Sequence, residues 1–549
     1  MASEDLRAVA FTKLSSDELT ELVRCAHPPL EHYRRGDRLI GTGECASRFF
    51  VVVSGELAAI DDSSEPPKTI ALLGPGDFTG EVSQLTGARS LVTLAANSDS
   101  DVYAFPTSTL RQVINRSPNL GDRILQAFIA RRQLLRDPAN FVGLRIIGSR
   151  YSKDTFRIRD FLARNRVPFV SLDLEEDPEL RTLLADLGVT VAETPVVALG
   201  RKLVLRNPSN GELAAAIGIW EPIERRIYDL VVIGAGPAGL AAAVYGASEG
   251  LDTMVLERGG PGGQASRSMR IENYLGFPTG ITGADLAERA AVQALKFGTH
   301  LPVGETATRI GFDNRYVMIE IDRGETVMAK CLLIASGADY RRLEAEGCAQ
   351  FEGCGVYYAA TPQEAPVCRN ATAVVVGGGN SAGQAAVFLA GEARKVYVLV
   401  RGESLASSMS TYLVQRIEET ENIEVLYRTR ARRMIGNGCL RAVEIVNDAT
   451  GEVRILETPG LFSFIGAVPR TEWLPPEIEK DDKGFVKTGF ALARSASWSA
   501  TRPPAFLETS RAGVFAAGDV RSGSVKRVAS AVGEGAMVVQ LVHEYLKGM

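Results

Sequence analysis

Residues 228–259 read YDLVVIGAGPAGLAAAVYGASEGLDTMVLERG. An apolar strand runs into the triplet Gly234, Gly236 and Gly239. An alanine-rich helix opens at Pro237 and Ala238, and a second strand ends at Glu257. Glycines at this turn let the backbone approach a pyrophosphate, the helix N-terminus offers N–H donors to it, and the acid is placed for a ribose hydroxyl. The triplet alone is a weak signal. Strand, triplet, helix, strand and acid in register point to a dinucleotide site.

A second unit of this kind begins at residues 371–390, ATAVVVGGGNSAGQAAVFLA, with Gly377, Gly379 and Ala382 as the triplet and Asn380 and Ser381 opening the helix. Its next strand, KVYVLVRG, ends at Arg401. An acid there favours NADH, whereas a guanidinium accommodates the 2′-phosphate of NADPH, so the sequence leans to NADPH with NADH possible. Two Rossmann-like units, the second inserted in the first, give expected boundaries of 228–342 and 460–549 for the outer unit and 343–459 for the insertion.

The company of the first unit narrows its ligand. GGQASRSMRIENYLGFP (residues 262–278) and GVFAAGDVRSGSVKRVASAVGEGA (residues 513–536) resemble low-molecular-weight thioredoxin reductases, and the resemblance covers the chain from Tyr228 to its end. It implies FAD in the first unit and a homodimer. The resemblance places Gly263, Gln264 and Asn273 along the flavin, Gly518 and Asp519 at the ribityl and phosphate region, and Arg527, Val528 and Ala529 in a flavin-contacting stretch.

That family carries Tyr-Cys-Ala-Thr-Cys-Asp just before the nicotinamide domain, and this chain has Tyr358-Ala359-Ala360-Thr361-Pro362-Gln363. Both thiols and the acid are replaced. Hydride passage from nicotinamide to flavin needs positioning rather than a protein thiol, so an NAD(P)H oxidoreductase passing electrons to an unknown external acceptor is the leading expectation. The seven cysteines form no Cys-x-x-Cys, which argues for reduced, mostly buried thiols. His543, on an expected C-terminal helix, is either a proton donor or a solvated helix residue.

Upstream, residues 31–105 alternate short apolar runs with glycine turns, the pattern of a β-roll. VVVSGELAAI and GPGDFTGEVSQLTGARS resemble the cyclic nucleotide-binding domain, expected over 1–138 with closing helices whose arginines lie on a solvated face. The resemblance puts a cyclic nucleotide's phosphate and ribose on Gly80, Glu81, Arg89 and Ser90. The alternative is a β-roll kept for docking. Residues 141–220 read βαβαββα and resemble thioredoxin and glutaredoxin domains, with Thr194-Pro195 at the family's cis-proline loop. The family's dithiol falls on Ser152-Lys153-Asp154-Thr155, and hydroxyls cannot supply a thiolate at neutral pH.

The 549 residues, 45% hydrophobic and 23% charged, therefore divide into a multidomain chain of β-roll, thioredoxin-like α/β module and two dinucleotide domains. A net charge of −5 gives no nucleic-acid footprint, no metal motif is present, and no apolar run approaches a membrane span. A cytoplasmic enzyme is expected. A redox- and nucleotide-responsive regulator with little turnover is the alternative.

Overall fold

The run Ile227–Ile233 is a central strand because its neighbours on both sides are parallel, Thr253–Leu256 on one edge and Thr326–Ile334 on the other. Buried on both faces, such a strand needs no polar alternation. The sheet continues antiparallel through Tyr316–Ile321 to Ala307–Asp313, while Val514–Ala516 returns from the far end of the chain to pair with Thr326–Ile334. The helix Pro237–Ser248 covers one face together with the C-terminal helix Val528–Lys547.

These features come from a computed structural model, which describes the chain except residues 1–2, 46, 63–65, 82, 87–88, 137–142, 178, 200–202, 221–222, 314, 362–363, 493–494, 496–497 and 499. Pro362, Gln363 and the expected break at residues 138–141 lie outside the described residues.

The inserted unit has a five-stranded parallel sheet in the order Val356–Tyr357, Gly460–Ser463, Thr372–Val376, Lys395–Val400, Ile423–Tyr427, with a three-stranded antiparallel layer from residues 429–457. Its expected end at residue 459 is corrected, since Gly460–Ser463 sits inside this sheet. The chain crosses between the two units at an antiparallel pair, Ala338–Tyr340 with Ala467–Pro469. Backbone pairing, which apolarity alone does not reveal, assigns that strand.

At the N-terminus a three-stranded and a four-stranded antiparallel sheet form the β-roll, flanked by four longer helices. Ser15 shows why one helix starts where it does: its hydroxyl accepts from the Glu18 N–H while the Glu18 carboxylate accepts from the Ser15 N–H. The arginines of the Pro118–Arg136 helix do not all face solvent as expected. Arg131 and Arg132 are only 8% and 9% exposed, because the helix packs between the β-roll and the rest of the chain.

The thioredoxin-like module has the sheet order Leu203–Arg206, Val196–Leu199, Leu144–Gly148, Phe169–Asp173, with only the last pair parallel. The Thr194–Pro195 bond is cis. One apolar core runs continuously from the β-roll (Phe49, Phe78, Phe128) through this module (Ile146, Phe161) into the dinucleotide domain (Val232, Ala242, Phe515).

Candidate functional site

The turn after Ile233 is built for close approach. Gly234 has φ +102°, a conformation side chains rarely adopt, and an added Cβ on Gly239 would collide with the Gly234 carbonyl oxygen. Gly236, by contrast, has nothing within 4 Å of where its Cβ would be. That open space belongs to a cavity of about 340 Å³. Gly234, Gly236, Pro237, Ala238, Glu257, Gly263, Gln264, Gly518, Asp519, Arg527 and Val528 all line it. Sequence segments almost three hundred residues apart are thus brought to one place.

Glu257 is fixed by three backbone donors, Ala235 N–H at 2.8 Å, Gly259 N–H at 2.8 Å and Gly260 N–H at 3.1 Å. Gln264 Oε1 is buried without a hydrogen-bond partner among the described residues. Burial pushes the Asp519 carboxyl up, the nearby Glu534 adds to the effect, and the Lys526 ammonium opposes it. Lys526 itself donates to the Asp519 carbonyl oxygen at 2.6 Å. An open glycine cradle, an unpartnered amide oxygen and an uncovered helix N-terminus fit a pyrophosphate-linked dinucleotide with a polar ribityl segment.

Three expected residues lie outside the cavity lining. Gly239 sits beneath the turn as its packing glycine. Asn273 is exposed, on the segment bridged at Ile271–Ile281, and Ala529 points outward from the first turn of the C-terminal helix. Conversely, the cavity includes Arg164, Arg258, Asp339, Tyr340, Lys526 and Arg470, which the sequence did not reveal. Burial tends to raise Asp339, but paired hydrogen bonds from Arg470 prevail and hold it below the usual carboxylate range. Charge pairs brought together by a crossover have no signature in local spacing.

The second cradle has the same local logic. Gly377 has φ +138°, Gly379 caps the helix Asn380–Ala390, and Ala382 is fully buried beneath it. Asn380 Oδ1 accepts from Ser410 N–H at 2.7 Å. Arg401 is exposed just beyond its strand. Tyr340, on the crossover strand Ala338–Tyr340, lines the first cavity. Burial raises the Tyr340 phenol and keeps it protonated.

At the replaced dithiol, Ala359 is buried. Among the described residues no disulfide joins any of the seven cysteines, and burial pushes Cys331 and Cys368 up to about 12. Cys348 and Cys354 are raised by burial as well. His543 pairs with Glu249 at 3.0 Å and does not line the flavin-side cavity, so the proton-donor alternative is corrected to a helix-to-helix contact.

In the β-roll, Gly80, Glu81 and Ser90 line a separate cavity of about 130 Å³ whose wall combines apolar side chains such as Phe11, Ile40 and Leu73 with the polar Arg7, Thr79, Gln84 and Arg131. Arg89 is not among them. Residues 89 and 90 are clipped to the 43–45 loop by backbone hydrogen bonds, Ser90 N–H to Glu44 O at 2.9 Å and Gly43 N–H to Ser90 O at 2.8 Å. The Arg89 guanidinium consequently donates to Gly43 O at 2.7 Å, and its stem packs at Gly218 of the thioredoxin-like module. Glu81 is paired with Arg132 at 2.8 Å. Of these two side chains, Glu81 lines the cavity and Arg89 stands outside it.

Comparison with known proteins agrees with this geometry. Residues 228–535 match the pyridine nucleotide-disulphide oxidoreductase family, and residues 30–117 match the cyclic nucleotide-binding domain. The chain is 32% identical to a thioredoxin reductase of Listeria innocua and 34% identical to one of Schizosaccharomyces pombe. These matches span 59% and 58% of this chain and 95% and 97% of those proteins. The crystal structure of Lactococcus lactis thioredoxin reductase in its FR conformation superposes with a TM-score of 0.54 at 29% identity, covering 59% of this chain and 100% of that one. The crystal structure of T. acidophilum thioredoxin reductase gives 0.53 at 28% identity, over 58% of this chain and 99% of that one. FAD and NADPH are the cofactors of this family. The chain belongs to the pyridine nucleotide-disulphide oxidoreductase family, as a thioredoxin reductase-like flavoenzyme.

Proposed function

We propose that the chain oxidises NADPH through FAD and delivers two electrons to an external acceptor, without a redox dithiol of its own. The observation that carries this reading is the pairing of two intact dinucleotide cradles with Ala359 and Pro362 at the family's cysteine positions. When bound, FAD accepts a hydride from the nicotinamide and passes the electron pair onward. Gly234 and Gly236 would admit its pyrophosphate, Glu257 its ribose, and Gly518 with Asp519 its ribityl side. Gly377, Gly379 and Ala382 would hold the nicotinamide dinucleotide, with Arg401 beside the 2′-phosphate.

Tyr340 lines the flavin-side cavity and stays protonated because burial raises its phenol. The replaced dithiol and the buried, weakly acidic thiols support an acceptor other than an internal disulfide. The family resemblance supports a homodimer. The β-roll cavity favours a second reading in which a small nucleotide modulates this activity.

Anaerobic mixing of the flavin-loaded chain with NADPH, and separately NADH, tests the first half: the flavin absorbance should bleach rapidly, faster with NADPH. Screening flavin proteins, ferredoxins, quinones, oxygen and protein disulfides for reoxidation tests the second. Bleaching with no acceptor giving turnover would leave a redox-responsive regulator in place of an enzyme.

A further inference from the structure

The wall of the flavin-side cavity is not made by the dinucleotide domain alone. Arg164, the last residue of the thioredoxin-like module's Lys153–Arg164 helix, lines it. Its placement depends on two bare glycines following Glu257. A Cβ on Gly259 would come within 2.7 Å of Arg164 Nη1, and one on Gly260 within 2.9 Å of Arg164 Cβ. The next residue fastens the approach, Asn165 Nδ2 donating to Gly259 O at 2.7 Å. Gly259 and Gly260 are also the residues whose N–H groups hold the Glu257 carboxylate. Arg164 therefore stands where the ribose-marking acid is fixed.

Its charge is poorly answered by the protein. Arg164 Nε is buried with no hydrogen-bond partner among the described residues. The nearest carboxylate, Asp160, is 3.9 Å from Nη1 and is engaged by Arg267 at 2.8 Å. Arg258, Arg470 and Arg527 line the same cavity, so four arginines border it. A structural brace would be expected to have its polar atoms satisfied within the protein. An arginine with donors to spare, beside a cavity, is instead suited to a ligand with acceptor atoms and an electron-rich ring face.

We infer that the thioredoxin-like module completes the flavin site, Arg164 contacting the adenosine end of FAD beside Glu257. The adenine ring offers acceptor nitrogens and a face for guanidinium stacking, and both lie at the ribose end rather than at the reacting ring. On this account the module that lost its thiols holds the cofactor. This inference rests on FAD occupying the cavity.

The test measures FAD affinity of the full-length, flavin-stripped chain by titration, in the wild type, Arg164→Met and Arg164→Lys, together with the visible absorption and circular dichroism of the reloaded flavin. Arg164→Met keeps the apolar stem and removes donors and charge. It should weaken FAD by about tenfold or more, the scale of one lost charge-assisted contact, with the flavin spectra unchanged. Arg164→Lys should recover part of the loss. Unchanged FAD affinity in Arg164→Met would overturn the inference. So would weaker binding accompanied by altered flavin spectra, which would place the effect at the ring end. Should Arg164→Met fail to fold, Arg164→Lys alone decides, because it retains charge but not the planar fork and should show a smaller loss of FAD affinity with unchanged spectra. A wild-type chain that binds no FAD would instead sink the function proposed above.

Discussion

Phe156 of the thioredoxin-like module lies against Tyr357 of the inserted nicotinamide unit, ring centroids 6.0 Å apart and planes tilted by 44°. Tyr357 directly precedes the segment in which the family carries its dithiol. Lys153 Nζ reaches the Ala349 carbonyl oxygen nearby, and at its other end the same helix meets the FAD unit through Asp160 and Arg267. One helix thus touches both dinucleotide units, its first turns facing Tyr357 and the 348–351 segment of the inserted unit and its last turns facing the outer unit.

If this contact holds the nicotinamide unit in place, Phe156→Ala should loosen it locally. An aromatic pair contributes about 0.5–1.5 kcal/mol beyond its burial, so the change should be a modest drop in unfolding midpoint with faster amide exchange across residues 348–368. Exchange that rises only within the thioredoxin-like sheet would mean the ring serves its own module.

Gly236→Leu separates ligand space from protein packing. No protein atom lies within 4 Å of the added Cβ, so the flavin-free chain should fold with a near-native melting midpoint. The side chain would occupy the space expected for the pyrophosphate, and purified protein should lose its bound flavin. Full flavin occupancy in the variant would move the pyrophosphate elsewhere.

The thiols should be dispensable. With Cys331 and Cys368 at about 12, only about one thiol in 10⁵ at these positions is ionised at pH 7. Replacing all seven cysteines should leave NADPH-dependent flavin bleaching and acceptor turnover within about twofold of wild type, allowing for small packing changes. A loss of acceptor turnover with bleaching intact would reveal a thiol relay. In the native chain, alkylation should begin at exposed Cys45.

Asp519 predicts a pH dependence of the flavin-free chain. Burial raises its carboxyl most, the Lys526 ammonium opposes this without cancelling it and Glu534 adds to the rise, so the folded state holds the proton more tightly than the unfolded state. The associated stability is fully present below the ordinary aspartate pKa and is lost as pH rises through the raised value. Asp519→Asn should remove that decline and make the flavin-free chain more stable at neutral pH, while weakening its hold on FAD. Urea unfolding of both proteins across pH 4–8, a window of about four units around the carboxylate range, measures the difference. Parallel curves would show that Asp519 is not the group responsible.

Much of this arrangement was legible in the chain itself. Glu257, Gly234 and Gly236 were readable because a strand, a turn and a helix N-terminus impose a fixed local spacing on any dinucleotide site. Asn273 and Ala529 lie outside the cavity lining, since a motif fixes sequence position and not the direction in which an exposed loop or a first helical turn presents its side chain. Arg164, Asp339 and Arg470 were invisible for a different reason. Each reaches the cavity from another module or a crossover strand, and only the packed chain brings them to Glu257 and Tyr340. The placement of Gly460–Ser463 in the inserted sheet was hidden likewise, since parallel pairing has no local signal.

Arg89 offers the sharpest contrast between motif and geometry, and it yields the last prediction. In the described structure its guanidinium donates to Gly43 O, and its N–H donates to Ile217 O at 3.3 Å, tying the β-roll to the end of the thioredoxin-like module. Arg89→Ala should therefore lower stability by about 0.5–1.5 kcal/mol, the net worth of one hydrogen bond, and leave any heat from cyclic AMP or cyclic GMP unchanged in calorimetry. Heat present in the wild type and abolished in the variant would show that the 43–45 clip opens on binding and that Arg89 swings into the cavity. Wild-type protein giving no heat at millimolar nucleotide would withdraw the nucleotide-responsive reading. The Arg89 N–H bond to Ile217 O survives in the variant, so a lowered unfolding midpoint would report the lost Gly43 contact and the stem packing at Gly218.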